Sequence, residues 1–89
     1  MKSCTLDGSA LPDADAAYRE LAAAFEAPGY FGNNPDALWD AITEYSGEPV
    51  EIVWRRSAQS AARLGPAFEQ IAAVLKDAEK QGRIKLSLA

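Results

Sequence analysis

Asp36, Asp40 and Glu44 stand four residues apart in the stretch YFGNNPDALWDAITEY, residues 30–45, with Tyr30 and Trp39 among them. Two carboxylates can act as general acid and general base, but only where a cleft raises the pKa of one of them. On an α-helix a spacing of four places all three acids on one ridge, and a solvent-facing ridge supplies no such cleft. The chain has no histidine. That removes Ser-His-Asp and Cys-His nucleophile pairs and most zinc sites. The segment GNNPD does not match a glycine-rich phosphate loop. Asp13-Ala14-Asp15 lacks the remainder of a calcium loop. Neither a catalytic centre nor a metal or cofactor site is expected.

The ridge then needs another account. Like charges at i and i+4 cost a helix about 0.2–0.5 kcal/mol per pair. Charged helix faces are commonly just solvated. Asp36 in the first turn also suits the helix dipole, whereas Glu44 near the C-terminal end does not. The aromatics face the same choice. Tyr30 can cover an edge of the core, and Trp39 can be a boundary residue half covered by the preceding loop. An aromatic pair beside acids is also how contact hot spots are built. Asp77, on the outer face of the last helix, has Lys76 and Lys80 as neighbours with which to pair.

The elements that carry these residues follow from pattern. Residues 2–6 read as a strand stopped by the turn pair Asp7-Gly8. Asp13 or Asp15 caps a helix whose face is Tyr18, Leu21, Ala22 and Phe25, and which ends before Pro28-Gly29. Asn34-Pro35 is a start signal, an N-cap followed by proline at the first helical position. The helix it opens runs from Pro35 to Tyr45, with Leu38, Ala41, Ile42 and Tyr45 turned inward. Residues 49–54 form a strand with Val50, Ile52 and Trp54 alternating. A short helix over 57–64 and a longer one from Pro66 follow. The longer helix buries Phe68, Ile71, Ala72, Leu75 and Ala78 and stops at Gly82. The last strand carries Ile84, Leu86 and Leu88 on one side and Lys85 and Ser87 on the other. The order β-α-α-β-α-α-β predicts an α/β fold around a three-stranded parallel sheet with right-handed crossovers, one face of it less covered.

Composition agrees with a folded chain. The 89 residues, 48% hydrophobic and 25% charged, point to one domain over residues 1–89 with a core that needs no disulfide. The single cysteine, Cys4, lies in an apolar run and is expected to pack rather than react. No segment approaches the ~20 apolar residues of a membrane span, and MKSCTLDG has no signal-peptide core. A reducing cytoplasm is the expected compartment. A net charge of −4 and a pI near 4.6 disfavour nucleic acid as a partner and favour a basic protein.

The segment YFGNNPDALWDAIT closely resembles the signature of the barstar family, intracellular inhibitors of barnase-like ribonucleases. VEIVWRR resembles that family's second strand, and AVLKDAEKQG with the apolar strand after it resembles its last helix and strand. Length and element order agree across nearly the whole chain. The resemblance implies three parallel strands covered by helices, and an inhibitor that lays its second helix and the preceding loop over a nuclease active site. It implies that Asp40 is the central acid meeting the nuclease's cationic catalytic groups, and that Asp36 pairs with basic groups on the rim. Tyr30 matches an aromatic that packs on the nuclease, and Trp39 one at the edge of the contact. Gly32, Asn34 and Thr43 are kept, and Asp77 replaces a glutamate with the same charge and a shorter reach.

Four positions depart from the family pattern. Phe31 replaces a tyrosine, Pro35 a leucine, Glu44 a glycine and Tyr45 a tryptophan. The acids at the centre are intact while the rim differs. The expected partner is thus a basic secreted ribonuclease, bound one-to-one by an otherwise monomeric inhibitor, with a periphery unlike that of barnase. A second reading stays open: an immunity or interaction module of the same fold, directed at a different basic toxin or basic protein.

Overall fold

The computed structural model describes residues 1–27 and 32–89. Strand β1 spans Lys2–Asp7, helix α1 Ala14–Ala24, α2 Pro35–Glu44, strand β2 Val50–Arg55, α3 Ser57–Leu64, α4 Pro66–Lys80 and β3 Ile84–Leu88. The three strands form one parallel sheet in the order β1-β2-β3, as the alternation of strands and helices required. Its register stacks Cys4, Ile52 and Leu86 in one row and Leu6, Trp54 and Leu88 in the next.

Those rows face the helices. Cys4, Leu6, Val50, Ile52, Trp54 and Ile84 are buried there with Tyr18, Leu21, Leu38, Ile42, Ile71 and Leu75. Helix α1 packs on β1, α4 packs on β3, and α2 contacts both α1 and α4. The opposite sheet face carries the exposed Ser3, Thr5, Lys85 and Ser87 and the half-buried Glu51 and Val53. The polar residues of β3 had indicated that less covered face. Leu88, at the end of the last strand, is exposed rather than part of the core. On α1, Ala17 and Ala24 are buried while Ala22 is only half covered. The helix thus presents a face rotated slightly from the expected one.

The ends of β1 and β2 meet in a tight corner. The Trp54 indole N–H donates to the hydroxyl of Ser60 at 2.9 Å, both residues being wholly buried. Its ring meets Phe68 edge-on, with centroids 5.1 Å apart. Gly8 lies so close to the Arg56 carbonyl that a β-carbon would collide with it. Asp7 accepts from the Ser9 amide and hydroxyl and from the Arg56 guanidinium. The hydrogen bonds from Ser9, followed by Arg56, hold its carboxyl below the usual range. Burial raises the pKa of the Cys4 thiol, with Glu20 adding to the shift. The thiol is packed, as expected. No helix among the described residues is long and apolar enough to cross a membrane.

Candidate functional site

Helix α2 is set up at its N-terminus by local chemistry. The side-chain oxygen of Asn34 accepts from the Ala37 amide at 2.8 Å, and Pro35 occupies the first turn, where its missing N–H costs nothing. The Asn34 amide donates to the Gly32 carbonyl at 2.9 Å. A β-carbon on Gly32 would stand 2.9 Å from the Asn34 side-chain nitrogen, so the loop before the helix needs a small residue there. The Asn33 side-chain amide donates to Asp15 at 3.2 Å, tying this loop to the start of α1. That tie links residues 18 apart in sequence and has no signature in the local pattern.

The inward face of α2 is held by Leu38 and Ile42, both buried, with Ala41 and Tyr45 half-buried against the core. With that face anchored, Asp36, Asp40 and Glu44 are all exposed. Among the described residues none of the three makes an ion pair, and neither does Asp77 on α4. The pairing expected of Asp77 with Lys76 or Lys80 does not form. Lys76 is the next residue and points to another face, as neighbours in a helix must. Lys80 lines the same groove as Asp77 without closing on it.

Two grooves flank the ridge. One, of about 410 Å3, lies between α2 and α4 and is lined by Pro35, Asp36, Trp39, Val74, Asp77, Lys80 and Gln81. It gathers four candidate residues from two helices that are separated in the chain by β2 and α3. Trp39 is half-buried and packs against the core from this groove, so the boundary position read from the sequence holds. The other groove, of about 390 Å3, lies at the far end of the ridge, between Phe25, Glu26 and Ala27 after α1 and Ala41, Glu44, Tyr45, Ser46 and Gly47 at the end of α2. Here the Tyr45 hydroxyl donates to the Glu48 carbonyl at 2.8 Å, and the ring meets Phe25 edge-on at 5.5 Å.

Thr43 is half-buried, and its hydroxyl donates to the Asp40 carbonyl of its own helix at 3.1 Å. Tyr30 and Phe31 lie outside the described residues. Glu26 did not figure among the sequence candidates. The dipole argument that singled out Glu44 applies equally to Glu26, an acid placed just beyond a helix C-terminus. No group of three or more His, Cys, Asp or Glu side chains that could hold a metal ion occurs among the described residues.

A family model described as "Barstar (barnase inhibitor)" matches residues 1–87. The chain belongs to the barstar family. A relative from Bacillus subtilis (strain 168), named "Putative ribonuclease inhibitor YrdF", is 26% identical over 81 residues, covering 91% of this chain and 89% of that protein. The three-stranded parallel sheet with its four helices agrees with the barstar-like fold. Family and relative together support a ribonuclease-inhibitor role, which is a binding role rather than a catalytic one.

Proposed function

We propose that this barstar-family chain inhibits a basic secreted ribonuclease by covering its active site with α2 and the loop before it. The observation that carries this reading is that, among the described residues, Asp36, Asp40 and Asp77 make no ion pair, on a helix pair whose inner faces are locked in the core. A ribonuclease site is shaped for phosphate and lined with cations. Carboxylates fixed on a packed helix offer complementary charge and need little ordering on binding. In this reading Asp40 sits centrally, Asp36 and Asp77 meet basic groups from the α2–α4 groove, and Trp39 covers the edge. Gly32 and Asn34 shape the approach loop, Pro35 and Thr43 flank the acids, and Glu44 and Tyr45 form the far rim. Tyr30 and Phe31 are assigned to the contact from the family pattern. The inhibition is reversible, one-to-one and without cofactor, and electrostatic steering makes association slower as salt rises.

The test is residual RNA cleavage by a panel of basic microbial ribonucleases titrated with the protein. Loss of cleavage near one equivalent for at least one of them, relieved about a hundredfold or more in inhibition constant by Asp40→Ala, is the expected outcome. Failure to inhibit any member, with a basic protein of another kind captured instead, would move the chain to the immunity-module reading.

A further inference from the structure

The groove at the C-terminal end of the ridge is chemically distinct from the one at the other end. Two carboxylates, Glu26 and Glu44, line it together with the ring of Tyr45, which is set edge-on against Phe25. The ends of two helices converge there, because the residues following α1 and the last turn of α2 line the same space. Helix C-termini carry partial negative charge, and neither α1 nor α2 has a basic residue in its last turn to offset it. Tyr45 leaves α2 in an extended conformation, without the left-handed cap that would turn amides back onto the last carbonyls. A separate observation shows what this environment attracts. The chain's own Lys2 ammonium lies 5.8 Å from the centre of the Tyr45 ring and 3.7 Å from a Glu26 oxygen. A cation is already stationed at the rim, while Glu44 across the groove has no ion-pair partner among the described residues.

We infer that this groove is a second cation subsite, in which an arginine side chain of the partner meets Glu44 and takes over from Lys2 the Glu26 carboxylate and the Tyr45 ring. The inference rests on the reading that α2 meets a basic protein, and it extends the contact past Asp40 to the end of the helix. Arginine fits better than lysine. Its planar guanidinium stacks on an aromatic face and offers donors in a fork, so it reaches a carboxylate on either side. The groove volume of about 390 Å3 admits such a group with solvent to spare. Tyr45 is held for this task by its hydroxyl bond to Glu48. It also folds back over Gly47, where a β-carbon would come within 2.6 Å of the ring. Glu44 thereby becomes a specificity-determining residue. It disfavours its own helix end and is compensated when a guanidinium arrives. A partner lacking a basic group at this position gains nothing from it.

The test needs no ribonuclease, so it stands or falls separately from the inhibition assay. N-acetyl-arginine amide is titrated into the isotope-labelled protein and followed by amide NMR shifts, with the neutral isostere N-acetyl-citrulline amide as control. Saturable shifts centred on Ala27, Ala41, Glu44 and Tyr45 are expected for arginine and not for citrulline. Glu44→Gln and Glu26→Gln should each weaken the affinity about two- to fivefold, with the native spectrum otherwise retained. Glu69→Gln, an exposed acid on α4 that lines neither groove, should leave it unchanged. Shifts that centre on the Asp36–Asp77 groove instead, that are equal for citrulline, or that ignore Glu44→Gln would overturn the inference even if the chain inhibits a ribonuclease.

Discussion

The Trp54 corner and the α2 ridge treat polar groups in opposite ways. At the corner the indole N–H is matched to a buried hydroxyl, Asp7 is surrounded by donors, and Gly8 leaves no room for even one more carbon. On the ridge three carboxylates stand in solvent four residues apart, where they repel one another, and none makes an ion pair among the described residues. A group satisfied within the fold contributes to stability. A charged group held on a packed helix with no internal partner contributes little or costs something, and on the function proposed above its use lies outside the molecule. The division runs through α2 itself, whose Leu38 and Ile42 belong to the core and whose Asp40 does not.

The contrast is broken most directly at Trp54. Trp54→Ala removes a wholly buried ring and its partner contacts with Phe68, and should cost about 3–5 kcal/mol in a urea titration. In a chain this small that is a large part of the whole stability. Asp40→Ala should do the reverse. The urea midpoint stays level or rises, by no more than about 1 kcal/mol from two relieved i,i+4 repulsions, while ribonuclease inhibition collapses. If Asp40→Ala unfolded the protein, the ridge would be structural and the comparison would fail.

Two smaller effects sharpen it. Glu44→Gln removes a charge that opposes the dipole and repels Asp40, so thermal stability should rise by a few tenths of a kcal/mol. The gain should shrink in added salt, as expected of an exposed charge. Asp7 gives the converse sign. Its pKa is lowered by Ser9 and Arg56, so the folded state favours the carboxylate. The resulting stability is present above the ordinary carboxylate range and is lost as pH falls through the lowered folded value. The difference in urea midpoint between the native chain and Asp7→Asn should therefore narrow from about pH 6 to about pH 3. A constant difference would mean that Asp7 acts through its shape and not its charge.

Much of the fold was legible because its signals are local. Asn34-Pro35 marked the start of α2 to the residue, residues 57–64 were read as α3, and alternation in 50–54 placed Ile52 and Trp54 inside. The boundaries that drifted lie at helix and strand ends. There Tyr45 turned out to cap α2, and Arg55 extended β2. What did not show were partners distant in sequence. Ser60 gave no sign that it would be buried against Trp54. Glu79 gave none that its carboxylate would accept the Leu86 amide at 2.9 Å on the exposed edge of β3. The candidate site divides in the same way. Asp36, Asp40 and Glu44 fell on one ridge by helical spacing alone, whereas the meeting of Asp36 and Trp39 with Asp77 needed α4 to lie beside α2.

The sequence alone determined that a helix would start at Asn34-Pro35 and that its acids would form one stripe, because a cap and a 3.6-residue period are properties of a few neighbouring residues. Its lack of histidine and its acidic charge already pointed away from common catalytic centres and toward a basic partner. Only the tertiary structure decided that the stripe would end in two unlike grooves. Packing α4 against α2 drew Asp77 and Trp39 together at one end. The approach of α1 to α2 brought Glu26 into one groove with Glu44 at the other. Contacts of that kind depend on how hydrophobic faces far apart in the chain settle against one another, and no local spacing encodes them.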